Sequence, residues 1–220
     1  MLGHTAHVDT FTRDNLPPAE WWPDLLLDGF EYPERLNVGV ELTDRMVETG
    51  FGDHTALIGN GRRRTYKELA DWTNRLAHVL VEDLGVVPGN RVLIRSANNP
   101  AMVAAWLAAT KAGAVVVNTM PMLRAGELGQ IVDKAEITHA LCDTRLMDEM
   151  AICAKGSKFL RSVEGSTAAR TTMRSWTGWR WKNPSVSTRS RRGATTWRFW
   201  ALHPEPRAAR RPRCIFIATC

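Results

Sequence analysis

Three groups of residues along the chain are of types that could do chemistry, and spacing decides how far each can be taken. Asp53-His54, Asp71 and Asp143 are candidate acids or bases. Acid–base catalysis needs titratable groups held within hydrogen-bond reach of one another or of substrate. Here they stand singly with no motif around them, so each reads as structural or solvent-facing. Arg62-Arg63-Arg64 could hold a phosphate through guanidinium hydrogen bonds, but three consecutive charges beside a turn read first as a solvated surface. GNGRRR lacks the third glycine and the helix placement of a dinucleotide fingerprint. Cys142, Cys153, Cys214 and Cys220 show neither metal-ligand spacing nor a disulfide framework, which points to a reducing, cytoplasmic setting. The sequence therefore assigns no catalytic, no cofactor-binding and no metal-ligating residue.

Charge is distributed unevenly. Residues 1–164 hold 17 Lys+Arg against 22 Asp+Glu, whereas residues 165–220 hold 12 against Glu205 alone. The net +6 of the whole chain is thus a property of the second segment, which also carries five of the nine tryptophans. A basic average would suggest nucleic acid or anionic membrane as a partner. The first 164 residues do not share it. Residues 1–20 lack a basic start and an apolar run, and no stretch of 18 apolar residues occurs, so neither a signal peptide nor a spanning helix is expected.

The elements that would position any site alternate between strand and helix signals. Gly59-Asn60-Gly61 turns the chain between extended pieces at 56–58 and 64–66. Leu69, Trp72, Leu76, Val79 and Leu80 recur at helical steps and predict a helix over 67–84. Val92-Leu93-Ile94, between Arg91 and Arg95, is a short apolar run of the kind buried on both faces of a parallel sheet. Asn99 and Pro100 supply a cap and a first-turn proline for a second helix, with Val103, Trp106, Leu107 and Thr110 facing inward and Gly113 ending it. A strand over 114–117, a helix over 125–134 and a strand over 138–142 follow. Upstream, Asn37 caps a helix to Thr49 with Val38, Leu42 and Met46 on one side, after an irregular arm anchored by Trp21 and Trp22. The fold class is α/β, a mainly parallel sheet with flanking helices, followed by an irregular, disordered tail.

The order of particular residues carries a resemblance. Thr65-Tyr66 with Glu68-Leu69, Gly89-Asn90-Arg91-Val92, Ala97-Asn98-Asn99-Pro100, the run Lys111-Ala112-Gly113-Ala114-Val115-Val116 and Glu127-Leu128 together resemble the adenylate-forming acyl-CoA synthetase superfamily. The opening HVDTFTRDNLPPAEWWPDLLLDGFEYPERLN is similar to its benzoate and 2-aminobenzoate CoA ligase branch. The resemblance covers residues 1–163. It implies an enzyme that joins a carboxylic acid to AMP from ATP, releasing pyrophosphate, and then lets coenzyme A displace AMP. The family's Gly/Ser/Thr-rich phosphate loop, its acidic ribose and magnesium motif, and its C-terminal lysine are not found in the chain as it stands. The implied organisation is an N-terminal arm and helix over 1–50, a partial AMP-binding domain over 51–163, and a tail over 164–220.

The tail itself has a reading in the genetic code. If true codons begin at the last base of each codon used here, Trp200-Ala201 forces glycine and Phe199-Trp200 forces leucine. Trp176-Thr177 forces aspartate and Trp181-Lys182 forces glutamate. Carried from Arg170 to Val186, the permitted residues include NHDAELDRLALEKPV. From Thr196 to Cys220 they include VALLGFTSGTTGRPKATMHFHRDL. Every forced residue falls in place, and TSGTTGRPK resembles the family's phosphate loop. One base is then missing, or two are extra, near the codons for Val163–Gly165.

The expectation is a truncated aromatic acid–CoA ligase, inactive as given. ATP, Mg and CoA would belong to the intact enzyme and none would be bound by this fragment. The partner of the intact enzyme is a small-molecule aromatic carboxylic acid, with no nucleic acid or membrane partner and the oligomeric state left open. The alternative is a non-enzymatic α/β module whose Trp/Arg tail binds nucleic acid or anionic membrane. A sheet edge and the helix faces Leu69–Leu80 and Val103–Leu107 are expected to lose partners and lower solubility.

Overall fold

The structure, a computed structural model, describes residues 5–24, 29, 32, 33 and 36–166. The readings placed on the tail, including Cys214 and Cys220, lie outside the described residues. Near the N-terminus α1 (Phe11–Asp14) is one turn, followed by a 3-10 turn at Ala19–Trp21. Helices α2 (Val38–Glu41) and α3 (Asp44–Met46) run into a π turn at Val47–Phe51. Strands β1 (Thr55–Gly59) and β2 (Arg62–Thr65) form an antiparallel hairpin. Its two-residue turn has Asn60 at φ 54° and Gly61 at φ 72°, the positive values that a turn matching the strand twist demands.

Helix α4 (Tyr66–His78) starts in a reciprocal cap. The Thr65 hydroxyl accepts from the Glu68 N–H, and the Glu68 carboxylate accepts from the Thr65 N–H. A π turn at Val79–Asp83 ends it. Then come β3 (Arg91–Arg95), α5 (Pro100–Lys111), β4 (Val115–Thr119), α6 (Ala125–Lys134), β5 (His139–Asp143), α7 (Met147–Gly156) and β6 (Ser162–Ser166). As expected, Asn99 caps α5 by accepting from the Met102 N–H at 3.0 Å.

The sheet order is β4-β3-β5-β6, and every neighbouring pair is parallel. The chain moves outward from β3 to β4, then back across to β5 and β6. With right-handed crossovers, that reversal puts α5 on one face and α6 and α7 on the other. Two apolar clusters fill those faces. Val92 and Ile94 pack with Leu69, Leu76, Leu80 and the alanines of α5. Leu93 packs with Leu128, Val132, Met150 and Val163 beneath α6 and α7. The period of two along β3 explains the split.

The same period puts Arg91 and Arg95 on Leu93's face, one at each end of the strand. Arg91 donates to the carbonyls of Gly89, Ala135 and Glu136 and to Asp9 Oδ2 at 2.5 Å. The Phe11 ring lies 4.4 Å from its guanidinium carbon. Asp9 also accepts from Asn90 Nδ2 and from the Phe11 N–H, while the Val8 and Asp9 N–H groups donate to Pro88 O. Gly89, at φ 93°, lets the arm come this close, since a Cβ there would sit 2.1 Å from the Asp9 carbonyl oxygen.

Several expectations are corrected. Trp21 and Trp22 do not anchor the arm: Trp21 is 74% exposed, and Trp22 Nε1 donates within the arm to Pro17 O. Asp9 anchors it instead, because an ion pair to a buried guanidinium outweighs packing at the surface. The helix expected from Asn37 to Thr49 is broken. Asn37 does cap it, but Leu42 is exposed and Thr43 buried, and Asp44 is drawn into an ion pair with Lys111 and a hydrogen bond from Asn74. On α5 the inward positions belong to Ala101, Ala104, Ala105, Ala108 and Ala109 as well as Leu107 and Thr110, while Val103 and Trp106 are half-buried. The alanines let α5 lie close against α4 and the sheet. The Leu69–Leu80 and Val103–Leu107 faces are therefore largely covered within the chain. Two strands begin one residue later than expected, at Val115 and His139. Helix α7 and strand β6 were not anticipated.

Burial alone would raise the Asp9 carboxyl, but hydrogen bonds from Arg91, the Phe11 N–H and Asn90 hold it below the ordinary carboxylate value. A folded value below the unfolded one means stability present above the unfolded value and lost as pH falls through the folded one. Asp9→Asn is expected to cost about 2 kcal/mol in urea unfolding at neutral pH, since it leaves a buried guanidinium without its counter-charge. The gap to the parent should close below about pH 4.

Candidate functional site

In an open parallel sheet, ligands bind outside the carboxyl ends of the strands, where connections leave in opposite directions. That point lies between β3 and β5. The chain leaves β3 toward β4 and leaves β5 toward β6. The strand ends bring Arg95, Ser96, Thr119, Asp143 and Arg145 to one edge of the sheet.

Each of these groups is held differently. Arg95 is 2% exposed, and its Nη2 donates to Pro121 O at 2.9 Å and Leu123 O at 2.8 Å. Its Nε and Nη1 are buried with no hydrogen-bond partner. Ser96 Oγ donates to Ala97 O and accepts from Asn99 Nδ2, which ties the turn after β3 to the cap of α5. Thr119 Oγ1 donates to Ile94 O across the β3–β4 pair. Asp143 is buried and takes a two-pronged contact from Arg145, Nε to Oδ1 at 3.0 Å and Nη2 to Oδ2 at 2.7 Å. The Arg145 side chain holds the Asp143 carboxyl below its ordinary value against the opposing effect of burial, and the Arg145 N–H adds to this.

The neighbouring groups are also engaged. Glu149 on α7 accepts from the Ala125 N–H at the start of α6 and from Arg124, and these two contacts, in that order, lower its carboxyl. Burial pushes the Cys142 thiol up to about 12, so it stays protonated and is no nucleophile at neutral pH. Cys153 is shifted upward for the same reason.

The residues singled out in the sequence do not converge. Asp53 and His54 are exposed, and the His54 ring leans on Phe51 with centroids 5.2 Å apart. Asp71 is exposed and pairs with Arg75. The arginine triplet lies in β2, not in a turn. Arg62 pairs with Glu68 at 2.7 Å, and Arg64 is buried with its guanidinium 4.9 Å from the centre of the Trp72 ring. Only Asp143 reaches the carboxyl edge. From the sequence, Arg95 is simply the end of a strand. Its signal was a charge at each end of an otherwise apolar run, RVLIR. Among the described residues, no group of three His, Cys, Asp or Glu could hold a metal, and no helix is long and apolar enough to cross a membrane.

The family model described as AMP-binding enzyme matches residues 45–207. The match starts later than the span 1–163 of the sequence resemblance and continues past its end. The acetyl-coenzyme A synthetase of Streptomyces avermitilis is 36% identical over 115 residues, covering 50% of this chain and 16% of that protein. A crystal structure of an anthranilate CoA ligase in complex with anthranoyl-AMP superposes with a TM-score of 0.57 at 18% identity, covering 61% of this chain and 26% of that one. A benzoate CoA ligase from Burkholderia xenovorans LB400 gives 0.55 at 24% identity, covering 60% and 26%. This chain thus spans between a sixth and about a quarter of the length of these relatives.

Removing the Arg145 fork should free Asp143 to move up toward or above the ordinary carboxylate value. In Arg145→Ala, the Asp143 carboxyl, followed by NMR against pH, is expected to titrate higher than in the parent, because burial then acts without its main opposing contact.

Proposed function

The chain belongs to the AMP-binding enzyme family, the acyl-CoA synthetase superfamily, and from that premise we propose that it is the N-terminal portion of an ATP-dependent aromatic acid–CoA ligase whose reading phase is lost close to β6. The observation that carries this is the string TSGTTGRPK, permitted by the codons of the tail in a single offset phase and in the right order after the sheet. The aromatic branch is supported by the opening stretch of the chain. The anthranilate and benzoate CoA ligases among the solved structures share its fold.

The chemistry would be condensation of a carboxylate with ATP to an acyl-adenylate and pyrophosphate, followed by displacement of AMP by coenzyme A. A phosphate loop supplies backbone N–H groups and hydroxyls around the triphosphate, and its lysine adds positive charge. The residues of this chain do something prior to that. They build the parallel sheet and bring Arg95, Asp143 and Arg145 to its carboxyl edge. As translated, the segment after β6 offers no such loop, so the 220-residue product is inactive in this reading. ATP, Mg and CoA are then held by the intact enzyme.

ATP–pyrophosphate exchange with benzoate or 2-aminobenzoate tests this. The 220-residue chain is expected to give no exchange above background. A gene corrected by one base near the codons for Val163–Gly165, and extended past Cys220 in the restored phase, should turn over on the order of 10 per second. Exchange by the 220-residue chain itself would overturn the reading, as would an offset phase that closes before TSGTTGRPK when the DNA is resequenced.

A further inference from the structure

Arg95 is a buried charged group whose surroundings are incomplete. Arg91, on the same face of the same strand, has a carboxylate, three carbonyls and an aromatic ring around it. Arg95 has two carbonyls on one nitrogen, and its Nε and Nη1 are buried without a partner. No ion pair to it is formed among the described residues. The acids nearest the same edge are already engaged, Asp143 by Arg145 and Glu149 by Arg124 and the Ala125 N–H. Arg95 lies opposite Cys142 in the β3–β5 register. The Cys142 thiol stays protonated and supplies no counter-charge.

Burying a charge with neither a counter-ion nor its full set of hydrogen bonds is costly, and the cost is removed when an anion completes it. We propose that Arg95 is a carboxylate-binding site at the carboxyl edge of the sheet, its Nε–H and Nη1–H being the donors. A singly charged oxyanion fits better than a phosphate. The guanidinium contributes one positive charge, which a singly charged oxyanion balances. The loop Pro121–Leu123, whose carbonyls Arg95 holds, contains the exposed Met122 and follows the exposed Met120.

The carboxylate can come from two sources. One is a free small acid. The other is an Asp or Glu side chain from the stretch that follows β6, whose last residue, Ser166, pairs with Asp143 at this same edge. The translated segment 167–220 carries Glu205 as its sole acid among many arginines, so it is a poor donor. The offset phase, in contrast, permits several acids there. This second source rests on the phase reading above, and the first does not.

The test compares thermal melting of the 220-residue chain in sodium formate and in sodium chloride at equal ionic strength. Formate is expected to raise Tm saturably, by about 4 °C at ten times its Kd. Arg95→Met should abolish the response, and Arg95→Lys, which keeps the charge but loses the guanidinium donors, should weaken it. Equal melting of the parent in the two salts would overturn the proposal, as would an undiminished formate response in Arg95→Met. Should the methionine variant fail to fold, an undiminished response in Arg95→Lys does the same. The phase-restored chain then separates the sources. A retained formate response identifies a free acid as the occupant. Loss of that response, together with a fall in Tm on Arg95→Met, identifies a side-chain carboxylate. Because the first arm needs no ligase activity, the site can fail while the ligase reading stands, and the reverse.

Discussion

The fold depends on how one fully buried strand ends in two charges. β3 reads RVLIR, and none of its five residues is exposed. Its apolar centre serves both layers of helices, while both guanidiniums must be satisfied inside the protein. They grip the β4–α6–β5 crossover at its two ends. Arg95 takes the carbonyls of Pro121 and Leu123 just before α6, and Arg91 takes those of Ala135 and Glu136 just after it. Leu93 sits between them beneath the same helix layer. A single strand thereby fixes where α6 lies along the sheet as well as how deeply it packs.

The two ends of that strand are finished to different degrees. At the amino edge the N-terminal arm folds back, and Asp9 with Phe11 completes the shell around Arg91. At the carboxyl edge Arg95 is held only on one side, through one nitrogen to the carbonyls of Pro121 and Leu123. An asymmetry of this sort has a functional direction, because a parallel sheet exposes its ligand crevice at the carboxyl edge and closes the other. The architecture is shared by many chemistries, so the edge tells where a ligand comes and not which reaction takes place there.

Sequence reasoning succeeded where local physics dominates. The period of α4, the Asn99 cap with Pro100, the Asn60-Gly61 turn and the buried run of β3 are set by residues within a few positions of one another. It failed where a distant partner overrules the local pattern. Leu42 had the right spacing for a buried face, yet the Asp44–Lys111 pair sets how that segment lies and leaves Leu42 outside. Trp21 and Trp22 had the bulk to anchor the arm, but a small carboxylate with a buried partner holds it. On α5 the large residues drew attention, while the alanines carry the close contacts. Helix α7 packs through Met150, Cys153 and Ala154, too weak an apolar stripe to stand out, and β6 is a strand because β5 offers it an edge.

From the residues alone come the alternation of strand and helix, the parallel class of the sheet and the family likeness. Each is written in spacing or composition, which need no knowledge of what lies across the fold. The tertiary structure alone decided which charges meet. Asp9 reaches Arg91 across 82 positions of sequence, Asn37 reaches the end of α5 across 73 and 74, and Arg95 is left with donors unused. The strength of such contacts depends on distance and burial after folding, and no local pattern encodes either.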